Sequence, residues 1–267
     1  MDALLLPDYG AYLRYHDLPG QAPARIYLHC LGGAAALYLR TALQPDLAGR
    51  RAVLVDLFGF GLSDRPEAFG YGPADHAAAV AALLDRLALD RCDVIGHSMG
   101  GYVALALAAA RPDLVGRLAV AEAPLTFGSG SASRAIAAQT EAEFRGAGFA
   151  AFTEEIRAEA AAGDAGMAAF LGAWWVAAPH AVYRSAVGLL RDAPALRDRL
   201  LRLPVPRAYF WGARTLREPD QARLAEELVD HGVEVHVVPE AGHHMQLDNP
   251  VGFAATLAAA LDPGRAG

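Results

Sequence analysis

Ser98 stands in the pentapeptide Gly96-His97-Ser98-Met99-Gly100, a G-x-S-x-G pattern. The apolar run before it, Cys92 to Gly96, reads as a short strand, and the Ala-rich run to Ala110 reads as a helix. A serine at such a strand-to-helix turn is held exposed on strained backbone. The flanking glycines let the two elements approach, and the helix N-terminus favours a developing anion. As a plain helix N-cap the same serine would do no chemistry. A serine hydroxyl is a weak nucleophile at neutral pH and needs an imidazole within hydrogen-bond reach. Ala241-Gly242-His243-His244 follows the last strand-like run, and His243, directly after a glycine, is the expected general base. His244 is expected to point the other way and to serve packing or hydrogen bonding. Two adjacent histidines also raise a metal site, but no Cys or acidic ligand spacing beside them supports one, so neither metal nor cofactor is expected. A third motif, His29-Cys30-Leu31-Gly32-Gly33, follows another strand. Its backbone suits an oxyanion, and the two donors are assigned to the N–H groups of Leu31 and Met99. Neither G-x-G-x-x-G nor G-x-x-x-x-G-K-[ST] is present there, which argues against a phosphate-binding loop.

Positioning these loops calls for a particular frame. Short apolar runs at 11–15, 25–29, 52–57, 92–96 and 118–121 alternate with helical spacing at 75–89 and 98–110. The near-continuous apolar run Ala52 to Leu57 suits a strand buried on both faces. From about Leu125 to Pro204 only helical segments are found, including an Arg-rich amphipathic stretch from Arg191 to Arg202. Strands and helices resume at 207–211, 220–230, 233–238 and 250–261. This rhythm predicts an α/β fold with a mostly parallel sheet and helices on both faces. The expected division is a core of residues 1–124 and 205–267, with a helical cap, 125–204, inserted after the sixth strand. Such an insertion would lie over the carboxyl ends of the strands, where open sheets bind ligands.

Composition narrows the classes further. The chain has 267 residues, 54% hydrophobic and 20% charged, so there is ample material for a core and global disorder is excluded. The net charge is −7 and every cation is arginine. An acidic chain is a poor nucleic-acid binder unless its basic residues cluster. Two cysteines, Cys30 and Cys92, cannot build a disulfide scaffold. No apolar run has the length of a membrane helix, and the N-terminus lacks the basic region of a signal peptide. A cytoplasmic protein acting on a small-molecule ester, with neither nucleic acid nor membrane as partner, is the resulting expectation.

Taken together, four motifs in order resemble the α/β-hydrolase superfamily: 29–33, Asp56 to Pro66, 96–101, and Ala241-Gly242-His243 with Pro250. The resemblance implies an eight-stranded sheet, a helical cap, and a Ser–acid–His triad in that chain order. It also implies that Asp56 and Asp64 serve their loop structurally. Two departures stand out. Cys30 occupies a place where the family usually has Gly, and is expected to be a small buried apolar residue. The usual triad Asp, four residues on from the Trp of a Trp-Gly run, is here Thr215. Another carboxylate must orient His243. Glu122 in Ala121-Glu122-Ala123-Pro124 is similar to the relocated acid of some haloalkane dehalogenases and epoxide hydrolases. Glu218, Asp220 or a bare Ser–His dyad are the alternatives. Those two activities use an Asp nucleophile, because a serine would form a stable ether with their substrates.

The expectation is therefore a carboxylic-ester hydrolase that forms an acyl-serine on a small or medium, mostly apolar substrate. Phe170, Trp174 and Trp175 could line its pocket, although such aromatics more often form cap core. An amidase, lactonase, thioesterase or C–C hydrolase would use the same residues. A receptor-like binding protein on the same scaffold is the competing class.

Overall fold

The computed structural model describes residues 1–125, 130–163, 165–217 and 219–262. Eight strands form one sheet: β1 (Asp2–Leu6), β2 (Ala11–Leu18), β3 (Gln21–Leu28), β4 (Arg50–Asp56), β5 (Cys92–His97), β6 (Val115–Ala121), β7 (Arg207–Gly212) and β8 (Glu234–Val238). Their order is β1-β2-β4-β3-β5-β6-β7-β8. Pairings β1–β2 and β2–β4 are antiparallel, and every later pairing is parallel. The α/β-hydrolase fold and its eight-stranded, mostly parallel sheet are therefore present as expected. β1 and the start of β3 had no clear sequence signal. β1 lies at the sheet edge with most of its residues exposed, so it lacks the continuous apolar run of a central strand.

The helices are, in chain order, α1 (Leu39–Ala42), α2 (Pro73–Arg86), α3 (Met99–Ala110), α4 (Ser131–Ala137), α5 (Glu141–Glu143), α6 (Phe149–Ala161), α7 (Ala165–Trp174), α8 (Pro179–Arg202), α9 (Pro219–Asp230), α10 (Met245–Asp248) and α11 (Pro250–Leu261). Strand side chains alternate between two cores. Ile26, Leu28, Val53, Val55 and Val94 face α2, α3 and α9. Tyr27, Leu54, Ile95 and Phe210 face α1 and α11. That both faces are covered explains why the central strands read as unbroken apolar runs. Helix α3 is buried from Met99 to Ala108. Its Ala and Gly content lets it lie close to the sheet and supplies strong helix propensity.

Between β6 and β7 the described chain carries α4 to α8 and no strand. This helical segment is tied to the loop after β4 by polar contacts. Ala178 N–H donates to the Gly59 carbonyl at 2.8 Å. The Arg184 guanidinium donates to the Glu67 carbonyl at 2.6 Å and pairs with Glu141 at 2.8 Å. Among the described residues, no single helix is long and apolar enough to cross a membrane.

The turn between β5 and α3 sets the tightest packing demand. A Cβ on Gly100 would lie 2.0 Å from the Leu28 carbonyl oxygen, and one on Gly96 would lie 2.2 Å from the Gly100 oxygen. Both obstacles are backbone and cannot swing aside. Gly100→Ala is expected to cost about 3 kcal/mol or more by overpacking. That corresponds to a Tm fall of about 6–12 °C for a domain of this size, read by thermal unfolding. An unchanged Tm would show that the turn tolerates displacement.

Candidate active site

Ser98 caps α3 with φ 52° and ψ −116°, a left-handed conformation that an L-residue adopts only under strain. The turn is held by its N–H, which donates to the Ala121 carbonyl at 2.8 Å. Met99, the next residue, opens α3, so its N–H has no acceptor within the helix. Across from it, Leu31 sits in the turn after β3, closed by a 2.9 Å hydrogen bond from Gly33 N–H to the Cys30 carbonyl. His29 fixes this turn. Its Nδ1–H donates to the Cys30 carbonyl at 2.8 Å, and its Nε2 accepts from Leu57 N–H at 3.0 Å. Burial lowers the His29 pKa, which keeps this neutral tautomer. Gly32 has φ 71°, and a Cβ there would strike the Trp174 ring at 2.2 Å. The same turn therefore also seats the helical segment.

The carboxylate that faces His243 is Glu122. It follows β6, is buried, and holds φ 49°. Its Oε2 lies 3.6 Å from His243 Nδ1, and its Oε1 accepts from Gly212 N–H at 2.8 Å. Tyr209 and Tyr102 hydroxyls donate to the carbonyls of Ala123 and Pro124, which fixes the chain on which Glu122 sits. Asp220 lines the cavity but pairs with Arg223, and Glu218 lies outside the described residues. Asp56 accepts from Ala35 N–H and Leu62 N–H, and Asp64 accepts from Tyr12 N–H, so both serve their loops.

The His243 loop is pinned to the end of β7. Gly242 N–H and the Arg214 guanidinium both donate to Asp248 at 2.7 Å. A Cβ on Gly212 would meet the Gly242 oxygen at 2.4 Å, so glycine there lets the loop approach β7 closely. Among the described residues no hydrogen bond links Ser98 to His243. In ligand-free sites this contact is commonly long and tightens on substrate. Both residues face one cavity of about 830 Å³, which also exposes Cys30, Leu31, Glu122 and His244. From the helical segment, Ile136, Phe152, Ile156, Met167, Phe170 and Trp174 line it. Trp174 Nε1–H is bonded to Thr153 Oγ1 at 2.9 Å, and its ring stacks on Phe149. Trp175 is not part of this wall. Its side chain is 56% exposed and lies beneath the Arg157 guanidinium, because the chain turns away at the end of α7.

Sequence reasoning missed His97. It is fully buried, and its Nε2–H donates to the His243 carbonyl at 2.7 Å, while its Nδ1 accepts from Gln246 at 3.2 Å. Its ring packs 4.9 Å from that of His243. Burial holds its pKa well below the usual range, so it stays neutral with one donor. The only sequence hint was its place beside Ser98. His97→Leu is expected to lower kcat about 100-fold with KM nearly unchanged, through misplacement of the His243 loop. Gln presents an N–H near the same point, so His97→Gln is expected to recover most of that loss. Equal losses in both variants would reduce His97 to a packing residue.

Cys30 is buried, and desolvation pushes its thiol up to about 12, so it is not a nucleophile at neutral pH. His244 is likewise driven down to about 3 by burial and by His243. Cys30, His97 and His244 are the one group among the described residues able to offer a metal ion three ligands.

The family model of the alpha/beta hydrolase fold matches residues 26–169, more than half of the chain. The chain belongs to this family. A 2-hydroxy-6-oxo-2,4-heptadienoate hydrolase of Pseudomonas putida is 36% identical over 111 residues, 41% of this chain and 40% of that protein. A 2-hydroxy-6-oxononadienedioate/2-hydroxy-6-oxononatrienedioate hydrolase of Dechloromonas aromatica is 34% identical over 137 residues, 50% of this chain and 46% of that protein. The alpha/beta hydrolase chain thus matches less than half the length of either relative. A solved thermophilic esterase of Thermogutta terrifontis superposes with TM-score 0.82 at 20% identity, over 98% of this chain and 99% of that one. The enol-lactonase of Burkholderia xenovorans gives TM-score 0.80 at 21% identity, over 97% and 99%. At such identities these two likenesses speak for the fold.

Proposed function

We propose that this alpha/beta hydrolase cleaves a carboxylic ester of a small or medium, mostly apolar substrate through an acyl-serine intermediate. The observation that carries the reading is the 3.6 Å approach of the buried Glu122 carboxylate to His243 Nδ1 in the cavity that also exposes Ser98. In this reading Glu122 keeps the Nδ1–H tautomer, which leaves Nε2 free to take the Ser98 proton as the hydroxyl attacks the ester carbonyl. The N–H groups of Leu31 and Met99 hold the resulting oxyanion. His243 returns the proton to the leaving alcohol, then activates the water that releases the acid. Helices α4 to α8 act as the cap that supplies the apolar wall of the acyl pocket.

Charge in the cavity bears on the choice among hydrolases. Its described lining carries Glu155 and Glu159 beside Glu122, with Asp220 paired to Arg223 and Arg134 as the one cation of the lining. A carboxylate-bearing substrate would be repelled there. The names of the relatives from Pseudomonas putida and Dechloromonas aromatica specify hydrolases of a heptadienoate and of dioates. The acidic lining favours a neutral ester over such anions.

The test combines a fluorophosphonate probe with a panel of neutral esters, matched amides and lactones. Labelling at Ser98 with steady turnover of esters above amides is expected. Ligand binding without turnover would support the receptor-like class instead. Turnover of lactones alone would move the assignment within the same chemistry.

A further inference from the structure

Beside Ser98 and His243 lies a second cluster, none of whose side chains exchanges a proton with the substrate in the hydrolytic steps. Cys30 follows β3, His97 ends β5 and His244 lies in the loop after β8, yet one ligand atom of each falls within 4.8 Å of the other two. His97 Nε2 is spent on the His243 carbonyl, which leaves Nδ1 as its ligand atom. Metal-bound histidines almost always donate their second ring N–H to a carbonyl or carboxylate in this manner. Two polar atoms at the cluster, His244 Nδ1 and Gln246 Oε1, are buried with no hydrogen-bond partner among the described residues. Buried polar atoms are rarely left unpaired, so each asks for a reason. Cys30 and His244 also face the cavity, which supplies an entry path.

We infer that Cys30, His97 and His244 form a binding site for a thiophilic metal ion of the Zn²⁺ or Cd²⁺ class. One sulfur and two imidazoles suit such ions and not Mg²⁺ or Ca²⁺. Zinc is held at about 2.3 Å by sulfur and about 2.0–2.1 Å by nitrogen, so the three side chains draw together by about 1 Å on binding. Gln246 gives up His97 Nδ1 to the ion. Three protein ligands leave a fourth position on the cavity side. On binding, the Cys30 S–H bond breaks, a sulfur–metal bond forms and the proton leaves to solvent, with no change of oxidation state. Cys30 adjoins Leu31 and His244 adjoins His243, so the bound ion draws the oxyanion turn and the His243 loop out of register. Inhibition of ester turnover follows, and that consequence alone rests on the function proposed above.

The test titrates Cd²⁺ into chelator-treated protein, with stoichiometry from calorimetry and the ultraviolet thiolate-to-cadmium charge-transfer band as the readout. One equivalent with that band is expected in the wild type and in Cys92→Ser, which keeps the thiol of interest. Cys30→Ser is expected to lose the band. His244→Gln is expected to keep the band and to bind about 10-fold or more weakly, within the range found for perturbed metal sites. Ser98→Ala should bind as the wild type does, so the readout stands whether or not any ester is turned over. A wild type without the band, a band that survives in Cys30→Ser, or full affinity in His244→Gln overturns the site.

Discussion

Ser98→Ala is expected to lower kcat on the best ester by about 10⁵–10⁶-fold, the scale seen when a nucleophile of this kind is removed. Residual turnover would come from the oxyanion donors and binding alone. The loss should come without damage to the fold, because the side chain is small and its hydroxyl anchors nothing else described. Stability offers a second, opposite reading. With φ at 52°, Ser98 pays backbone strain of about 1–3 kcal/mol that glycine would not. Glycine returns part of that gain through its freer unfolded chain, about 0.4–1 kcal/mol. Ser98→Gly is therefore expected to be as inactive as Ser98→Ala while melting about 2–4 °C higher than the wild type, from a net gain of about 1 kcal/mol. Inactivity with raised Tm is the signature of a residue held in strain for chemistry. A Ser98→Ala protein with full turnover would remove Ser98 from the reaction altogether.

Glu122→Gln is the sharper test of how His243 is controlled. Gly212 N–H needs an acceptor, so the amide oxygen of the glutamine should take the place of Oε1. The amide nitrogen then faces His243 Nδ1 and donates to it. That stabilises the tautomer with its proton on Nε2, which cannot accept a proton from Ser98. It also leaves the imidazolium formed during attack without a counter-charge. The expected result is a fall in kcat of about 10³–10⁴-fold at nearly constant KM, the size measured for the same change in other triads. Asp220→Asn is the control. Its carboxylate pairs with Arg223, so its loss is expected to change kcat less than about 2-fold, as for exposed ion pairs. Stopped-turnover kinetics on one ester reads both variants. A loss below 10-fold in Glu122→Gln, or a large loss in Asp220→Asn, would move the acid elsewhere.

Much of this architecture was legible in the chain. The run Cys92 to Ala110 announced a strand, a tight turn and a buried helix, because apolar periodicity, flanking glycines and alanine content are local properties. The central strands were legible for the same reason, being buried on both faces. β1 was not, because an exposed edge strand carries little apolar pattern. The helical stretch before β7 was visible as a change of rhythm, but its wall was not. Trp174 and Trp175 are neighbours in sequence, yet one lines the cavity and the other lies on the surface.

The residue types and their order along the chain determined the candidate nucleophile Ser98, the candidate base His243 and the absence of an Asp at Thr215, since each is written in a motif a few residues long. Which carboxylate meets His243 was decided only by the tertiary structure. Glu122 and His243 are far apart in sequence, and their approach depends on the register of β6 beside β7 and on glycine at position 212. The same holds for His97 on the His243 carbonyl, and for Cys30 beside His97 and His244. These contacts join the ends of different strands, and sheet order is set by long-range packing that no local pattern encodes.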